Sequence, residues 1–241
     1  MADDDLWEQN AAWWQEGFTD GADPEYEEQI LPLARECIVG AQRVLDVGTG
    51  EGQLARLAVR DGASRVVGID PTVAQVTVAQ ARGGGALYVR GGANALPFPD
   101  ESFDAVVVCL VFEHIVNLEP AIAEIARVLE PGGRFAFFLN HPLLQAPGSG
   151  WIIDTVLDEQ YWRIGPYLLE DIAMEELAPG VSLPFVHRPL SRYVNAMAQN
   201  GLLIERMDEP MPPEGFLARA EEYRDAAMIP RLLLLVARKQ G

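Results

Sequence analysis

One stretch constrains this chain more than any other: Val44-Leu45-Asp46-Val47-Gly48-Thr49-Gly50-Glu51-Gly52. An apolar run ends in an acid, passes through alternating glycines, and feeds a helix-forming segment at 53–60. That order reads as buried strand, tight turn and helix. Glycines in such a turn permit positive φ and let backbone approach a ligand closely. A dinucleotide site wants Gly-x-Gly-x-x-Gly, with the pyrophosphate on the helix N-terminus. Here the third glycine comes one residue early, and Asp46 would stand beside any pyrophosphate. The turn therefore suits a ligand without phosphate.

The alternation continues downstream. Residues 65–70 form a second buried strand, and 71–82 a helix stopped by Gly83-Gly84-Gly85. A third strand is expected at 86–90. A fourth at 103–110 has the continuous apolar run of a strand covered on both faces. Residues 118–129 read as an amphipathic helix closed by Glu130-Pro131-Gly132-Gly133, and 134–139 as a fifth strand. Strand alternating with helix predicts an α/β fold, a parallel sheet with helices on both faces.

The flanks differ. Residues 3–40 read as helical and acidic, while 140–189 are rich in Pro, Gly and aromatics without a clear period. A helix at 190–200 ends at Gly201. Two closing strands follow at 202–209 and 232–238, joined by a Pro-rich and then helical segment. All five tryptophans (Trp7, Trp13, Trp14, Trp151, Trp162) lie outside 43–139. They could simply pack lids and insertions onto the sheet. They could also line an apolar pocket at the carboxyl ends of the strands, where ligands bind in open α/β sheets.

Charge removes several partners. Lys plus Arg is 18 and Asp plus Glu is 36, a net charge of −18. Such a surface repels nucleic-acid backbones and anionic lipid heads. The longest apolar runs, 105–112 and 232–237, fall far short of the ~18–20 residues of a membrane span. Asp3-Asp4-Asp5 is the opposite of a basic signal-peptide start. Cys37 and Cys109 cannot build a disulfide framework or a zinc site. With three histidines they offer no metal-ligand spacing, so no metal is expected. The expected compartment is the cytoplasm.

Further pieces accompany the glycine turn. Asp70 ends the second strand, 20 residues after Gly50. A carboxylate there can accept two hydrogen bonds from a ribose diol, or can cap the helix that begins at Pro71. Then come Gly92-Ala93-Asn94-Ala95-Leu96-Pro97-Phe98-Pro99-Asp100, Ser102-Phe103-Asp104, Phe112-Glu113-His114 and Leu129-Glu130-Pro131-Gly132-Gly133. This ordered set resembles the class I S-adenosylmethionine-dependent methyltransferases, in the small-molecule branch that includes the ubiquinone and menaquinone methyltransferases. The resemblance covers residues 44–139.

The resemblance implies a doubly wound, mostly parallel seven-stranded sheet of the Rossmann-like methyltransferase type. It implies a single domain over 1–241: a helical lid at 1–40, a cofactor-binding core at 43–139, an acceptor-pocket insertion at 140–190, and a closing helix and strands at 191–241. S-adenosyl-L-methionine is the implied cofactor, and S-adenosyl-L-homocysteine the product. Gly48, Thr49 and Gly50 would cradle the methionine part, with Asp46 facing its ammonium group through water or backbone. Asp70 would hold the ribose hydroxyls, Pro71 would pack on the adenine, and the Ala93 amide would reach a ring nitrogen. Cys109 and Leu110 would line the sulfonium. Trp14 and Tyr26 would reach the cofactor from the lid. One departure stands out: family members usually carry Asp, which accepts from the adenine amino group, where this chain has Gly92. Asn94 could supply a carbonyl oxygen instead.

A sulfonium methyl is already activated, so alignment matters more than covalent chemistry. Holding the reactants in line can supply roughly 7–11 kcal/mol at the upper end. A general base adds roughly 10²–10⁴-fold for a poorly acidic nucleophile. His114 and His141 follow the fourth and fifth strands, and either could act as base or orient the acceptor. His187, beside Arg188, ranks below them, and Glu113 could be a helix-cap acid. Tyr161, Trp162 and Tyr167 in the insertion are candidates for acceptor contact, or for plain core packing. The insertion holds Asp154, Asp158, Glu159, Glu170, Asp171, Glu175 and Glu176. That acidity disfavours acidic carrier proteins and RNA as acceptors, and favours a small neutral, aromatic or amine-bearing metabolite. Two other readings stay open: an S-adenosylmethionine-binding module without catalysis, and an NAD(P)-dependent oxidoreductase.

Overall fold

The computed structural model describes residues 3–219 and 227–241. It opens with helix α1 (Asp3–Phe18), a short π-helical turn (Tyr26–Ile30) and α2 (Leu31–Ile38). The core then alternates as β1 (Arg43–Val47), α3 (Gln53–Arg60), β2 (Arg65–Asp70), α4 (Val73–Arg82), β3 (Leu87–Arg90), β4 (Phe103–Cys109), α5 (Leu118–Val128) and β5 (Leu129–Asn140). A 3₁₀ turn (Phe112–His114) separates β4 from α5. After β5 come β6 (Gly150–Asp154), β7 (Glu159–Arg163), β8 (Asp171–Ala178) and β9 (Val181–His187). The chain closes with α6 (Leu190–Gln199), β10 (Leu202–Asp208), α7 (Glu214–Arg219) and β11 (Leu232–Lys239). The helical segment expected before the last strand is seen in α7; residues 220–226 lie outside the described residues.

Seven strands form one sheet in the order β10-β11-β5-β4-β1-β2-β3. The neighbours from β3 to β5 run parallel, and β11 is antiparallel to both β5 and β10. Period-two alternation divides the core between two faces. Leu45, Val47, Val106, Val108, Phe135 and Phe137 pack with α5 and α6 on one face. Val44, Val66, Ala105, Val107 and Phe138 pack with α2 and α3 on the other. Both faces are covered, which is why these strands read as unbroken apolar runs. Strand order reverses between β1 and β4, so a crevice opens at their carboxyl ends.

The insertion departs from the aperiodic segment expected at 140–189. Its residues form two separate hairpins, β6–β7 and β8–β9. Trp151 stands opposite Trp162 across the first hairpin. Only β9 is deeply buried there, from Leu183 to His187. No helix among the described residues is long and apolar enough to cross a membrane.

Candidate functional site

A cavity of about 310 Å³ lies at the carboxyl ends of β1, β2 and β4. Its floor is the glycine turn. Gly48, Gly50 and Gly52 have φ of 71°, 53° and 92°, a left-handed region that favours glycine. A Cβ on Gly48 would run into the Val111 side chain, and one on Gly52 into the Tyr88 ring. The turn is held by its own amides: Gly48 and Thr49 donate to the Ile69 carbonyl (2.8 and 3.0 Å), and Gly52 to that of Thr49 (2.9 Å). Gly50 donates to Asp70 Oδ2 at 3.0 Å. A phosphate-binding turn presents its amides to the ligand; this turn spends them internally and offers space.

Two buried carboxylates organise the turn. Asp46 is 2% exposed, and its Oδ2 accepts from Thr49 Oγ1 at 2.6 Å and from the Ala55 amide at 3.0 Å. Burial raises its pKa to about 7 despite those two bonds. The ammonium-facing role implied for Asp46 is thus displaced at Oδ2, which is committed to fastening strand, turn and α3 together. Asp70 Oδ1 accepts from the Thr72 amide (2.9 Å) and Oγ1 (2.7 Å) while Oδ2 takes Gly50. Asp70 is therefore both the helix-side acceptor weighed from sequence and a wall of the cavity.

All twelve residues picked out for the cofactor line this cavity: Trp14, Tyr26, Asp46, Gly48, Thr49, Gly50, Asp70, Pro71, Ala93, Asn94, Cys109 and Leu110. Cys109 Sγ donates to the Tyr26 hydroxyl oxygen at 3.8 Å, and burial pushes both groups well above their usual pKa. Burial thus favours the neutral thiol, the less nucleophilic form. Leu110 follows with φ of 55°, a conformation rare for a non-glycine residue and concentrated at functional sites. Gly92 also lines the cavity, and a Cβ there would meet nothing within 4 Å. The space left by the missing family aspartate is open.

The histidines part company. His114 lines the cavity. Its Nδ1 lies 2.8 Å from the Pro184 carbonyl, so Nδ1 carries the proton and Nε2 the lone pair. Its ring meets Trp7 edge-on at 4.8 Å and Phe185 at 5.5 Å. Burial lowers its pKa to about 4, so it is neutral at physiological pH and a weak base. His141 does not line the cavity. It is 4% exposed, its Nε2 bonded to Glu209 at 2.8 Å and its Nδ1 accepting from Leu143. Bonded to Glu209, the residue just after β10, the ring is not part of the cavity wall, and this corrects its placement beside the acceptor. Nor is Glu113 a helix cap: buried, it accepts from the Asn140 amide (2.6 Å) and side chain (3.1 Å).

The three insertion aromatics also need correcting. None lines the cavity. Tyr161 is 49% exposed, Trp162 packs edge-on against Trp151 at 5.5 Å, and the Tyr167 hydroxyl accepts from the Leu190 amide. Trp162 thus packs within its own hairpin, Tyr167 anchors the start of α6, and Tyr161 is left half exposed. Trp7 lines the cavity too, as the pocket reading of the tryptophans allowed, while sequence reasoning missed Gln75, Val111 and 115–117, which also line it. Trp7 lies on the same face of α1 as Trp14, two turns away, with ring centroids 5.7 Å apart. That seven-residue spacing was the available signal.

The donor set fits S-adenosylmethionine. Asp46, Glu51 and Asp70 line the cavity, and among the described residues no Lys or Arg does. Such a site is hostile to pyrophosphate and accommodates a nucleoside with a cationic tail. Comparison with known proteins agrees. A family described as a methyltransferase domain matches residues 45–137. The ubiquinone/menaquinone biosynthesis C-methyltransferase of Methylobacterium nodulans is 36% identical over 133 residues, 52% of this chain and 51% of that protein. The demethylmenaquinone methyltransferase of Thermus thermophilus is 39% identical over 119 residues, 47% of this chain and 53% of its own length. The chain thus spans about half the length of the curated relatives it matches. The crystal structure of an S-adenosylmethionine-dependent methyltransferase from Mesorhizobium loti is 30% identical, with a TM-score of 0.74, and covers 86% of this chain and 96% of that one. With the sheet order, the glycine turn and a full-length structural relative in agreement, the chain belongs to the class I S-adenosylmethionine-dependent methyltransferases.

Proposed function

We propose that this protein transfers a methyl group from S-adenosylmethionine to a small, neutral, aromatic acceptor of the quinone class. The observation that carries this reading is one cavity that joins an acidic glycine-turn floor to an aromatic roof of Trp7, Trp14 and Tyr26 beside a neutral His114. When bound, the cofactor supplies an electrophilic sulfonium methyl. The chain's residues do the rest. Asp70 would accept from the ribose, and Ala93 and Asn94 would border the adenine. Helix α1 shuts out water, and its indole rings offer flat apolar faces to a ring acceptor. With its proton held on Nδ1 by Pro184, His114 presents Nε2 as an acceptor that orients an acceptor hydroxyl. A base of pKa about 4 is too weak to remove a phenolic proton, whose pKa is about 10. Alignment therefore carries the rate. In this reading residues 1–40 are the lid and the β8–β9 hairpin backs the acceptor wall through Pro184 and Phe185. The quinone class is supported by the likeness to the Methylobacterium and Thermus relatives, which are named as ubiquinone/menaquinone and demethylmenaquinone methyltransferases.

Calorimetric titration with S-adenosylhomocysteine and with NADH tests the cofactor. Micromolar binding of the first and no heat from the second are expected; the reverse overturns the reading. Turnover of labelled S-adenosylmethionine against hydroquinones, phenols and amines then tests the acceptor, and methylation confined to amines would overturn the quinone class.

A further inference from the structure

Glu51 sits inside the glycine turn, between Gly50 and Gly52, with its side chain 1% exposed. Its Oε2 receives two guanidinium groups, Arg56 Nη2 at 2.6 Å and Arg82 Nη1 at 2.5 Å. Arg56 belongs to the next helix and also donates to the Glu51 carbonyl, so it is local to the turn. Arg82 is different. It is the last residue of α4, and it reaches onward to the end of α1. The same Nη1 donates to Thr19 Oγ1 at 3.1 Å, and Nη2 pairs with Asp20 Oδ2 at 3.0 Å. Thr19 Oγ1 in turn donates to the Gln15 carbonyl at 2.7 Å, and Gln15 bonds Gln75 on the cavity wall at 2.9 Å. One guanidinium therefore bridges the glycine turn and the residues just after the helix that roofs the cavity.

We propose that Arg82 is a positioning residue that couples occupancy of the Gly48–Gly52 turn to closure of α1 over the acceptor space. The inference rests on the methyltransferase reading of the cavity. A ligand on the turn fixes Glu51; Glu51 fixes Arg82; Arg82 holds Thr19 and Asp20, and with them the Trp7–Trp14 roof. A ligand shifts an equilibrium only through differential contacts with its two states, and this chain of contacts supplies the difference. Linkage makes the effect reciprocal, so a latched α1 tightens the ligand.

The test is amide hydrogen exchange with and without S-adenosylhomocysteine, in wild type, Arg82→Met and Arg82→Lys. In wild type the ligand is expected to slow exchange in both α3 and α1. In Arg82→Met, slowing in α3 persists while slowing in α1 is lost, and affinity falls about tenfold, within the usual range of coupling energies. Arg82→Lys, which keeps the charge but not the fork, recovers part of both. Equal protection of α1 in Arg82→Met and wild type overturns the coupling. So does loss of α3 protection together with α1, which marks a residue that only supports the turn. If Arg82→Met does not fold, Thr19→Val/Asp20→Asn removes the lid-side contacts and leaves Glu51 its arginines; undiminished α1 protection in that variant also overturns the proposal. No binding to wild type sinks the cofactor reading itself, whereas binding without differential α1 protection sinks the coupling alone.

Discussion

The Gly50 amide donates to Asp70 Oδ2 at 3.0 Å, tying the turn after β1 to the acid that ends β2. The turn and Asp70 are therefore one unit. Asp70→Ala removes the acceptor for Gly50 and for Thr72 together. Its expected effect is a loss of about 1.5–3 kcal/mol in S-adenosylhomocysteine binding, the usual cost of a charged hydrogen-bonding partner, or about 10–100-fold in Kd. Calorimetry on the folded variant checks this, and affinity within about twofold of wild type would remove Asp70 from the binding site.

Burial holds the pKa of Asp46 and of Glu113 up at about 7, against roughly 4 in an unfolded chain. The native state then binds these protons more tightly than the unfolded state. Their contribution to stability is fully present below about pH 4 and is lost as pH rises towards 7. Both hydrogen bonds to Asp46 end on one oxygen, Oδ2, and both to Glu113 end on Oε1. An amide oxygen can replace either. Asp46→Asn and Glu113→Gln should each flatten the decline by about 1–2 kcal/mol between about pH 5 and pH 7.5. Urea unfolding at the two pH values measures it; an unchanged slope in both variants would show that the carboxylates titrate normally.

How much of this was legible in the sequence depends on how locally each feature is encoded. The parallel core, the turn and Asp70 are written in short runs whose period and glycines have one structural solution. Ten of the twelve residues named for the cofactor line one cavity because the ends of β1 to β4 and the loops after them meet near the topological switch, while Trp14 and Tyr26 reach it from α1 and the turn after it. Acceptor-side residues are set by distant contacts. His114 and His141 hold equivalent places after successive strands, yet Pro184 brings one into the cavity wall and Glu209, 68 residues from His141, turns the other away. Tyr161 and Trp162 carry no direction in their sequence, and the β6–β7 pairing decides it.

Gly92 lines the cavity with open space where its side chain would be, and its φ lies outside the left-handed region. Gly92→Asp should therefore fold without strain and add a hydrogen-bond acceptor on the wall assigned to adenine. One added hydrogen bond is worth about 1 kcal/mol, so S-adenosylhomocysteine should bind about fivefold tighter. Weaker binding in a variant with wild-type Tm would move the adenine to another wall.

His114 gives the sharpest test of how the acceptor is handled. With Nδ1 bonded to Pro184 and a pKa lowered to about 4 by burial, the ring stays neutral across the working pH range. A group that only orients the acceptor leaves no inflection in kcat above about pH 5. A general base would produce one near its own pKa. His114→Asn keeps a donor on the Pro184 side but loses the Nε2 acceptor. It should lower kcat about 10–100-fold, at the lower end of what one positioned polar group contributes, with S-adenosylhomocysteine affinity unchanged. The pH profiles of wild type and variant, measured on the acceptor found by turnover screening, decide the matter. An inflection between about pH 6 and 7 in wild type that disappears in His114→Asn would make His114 the base, and would mean that cofactor and acceptor together raise its pKa.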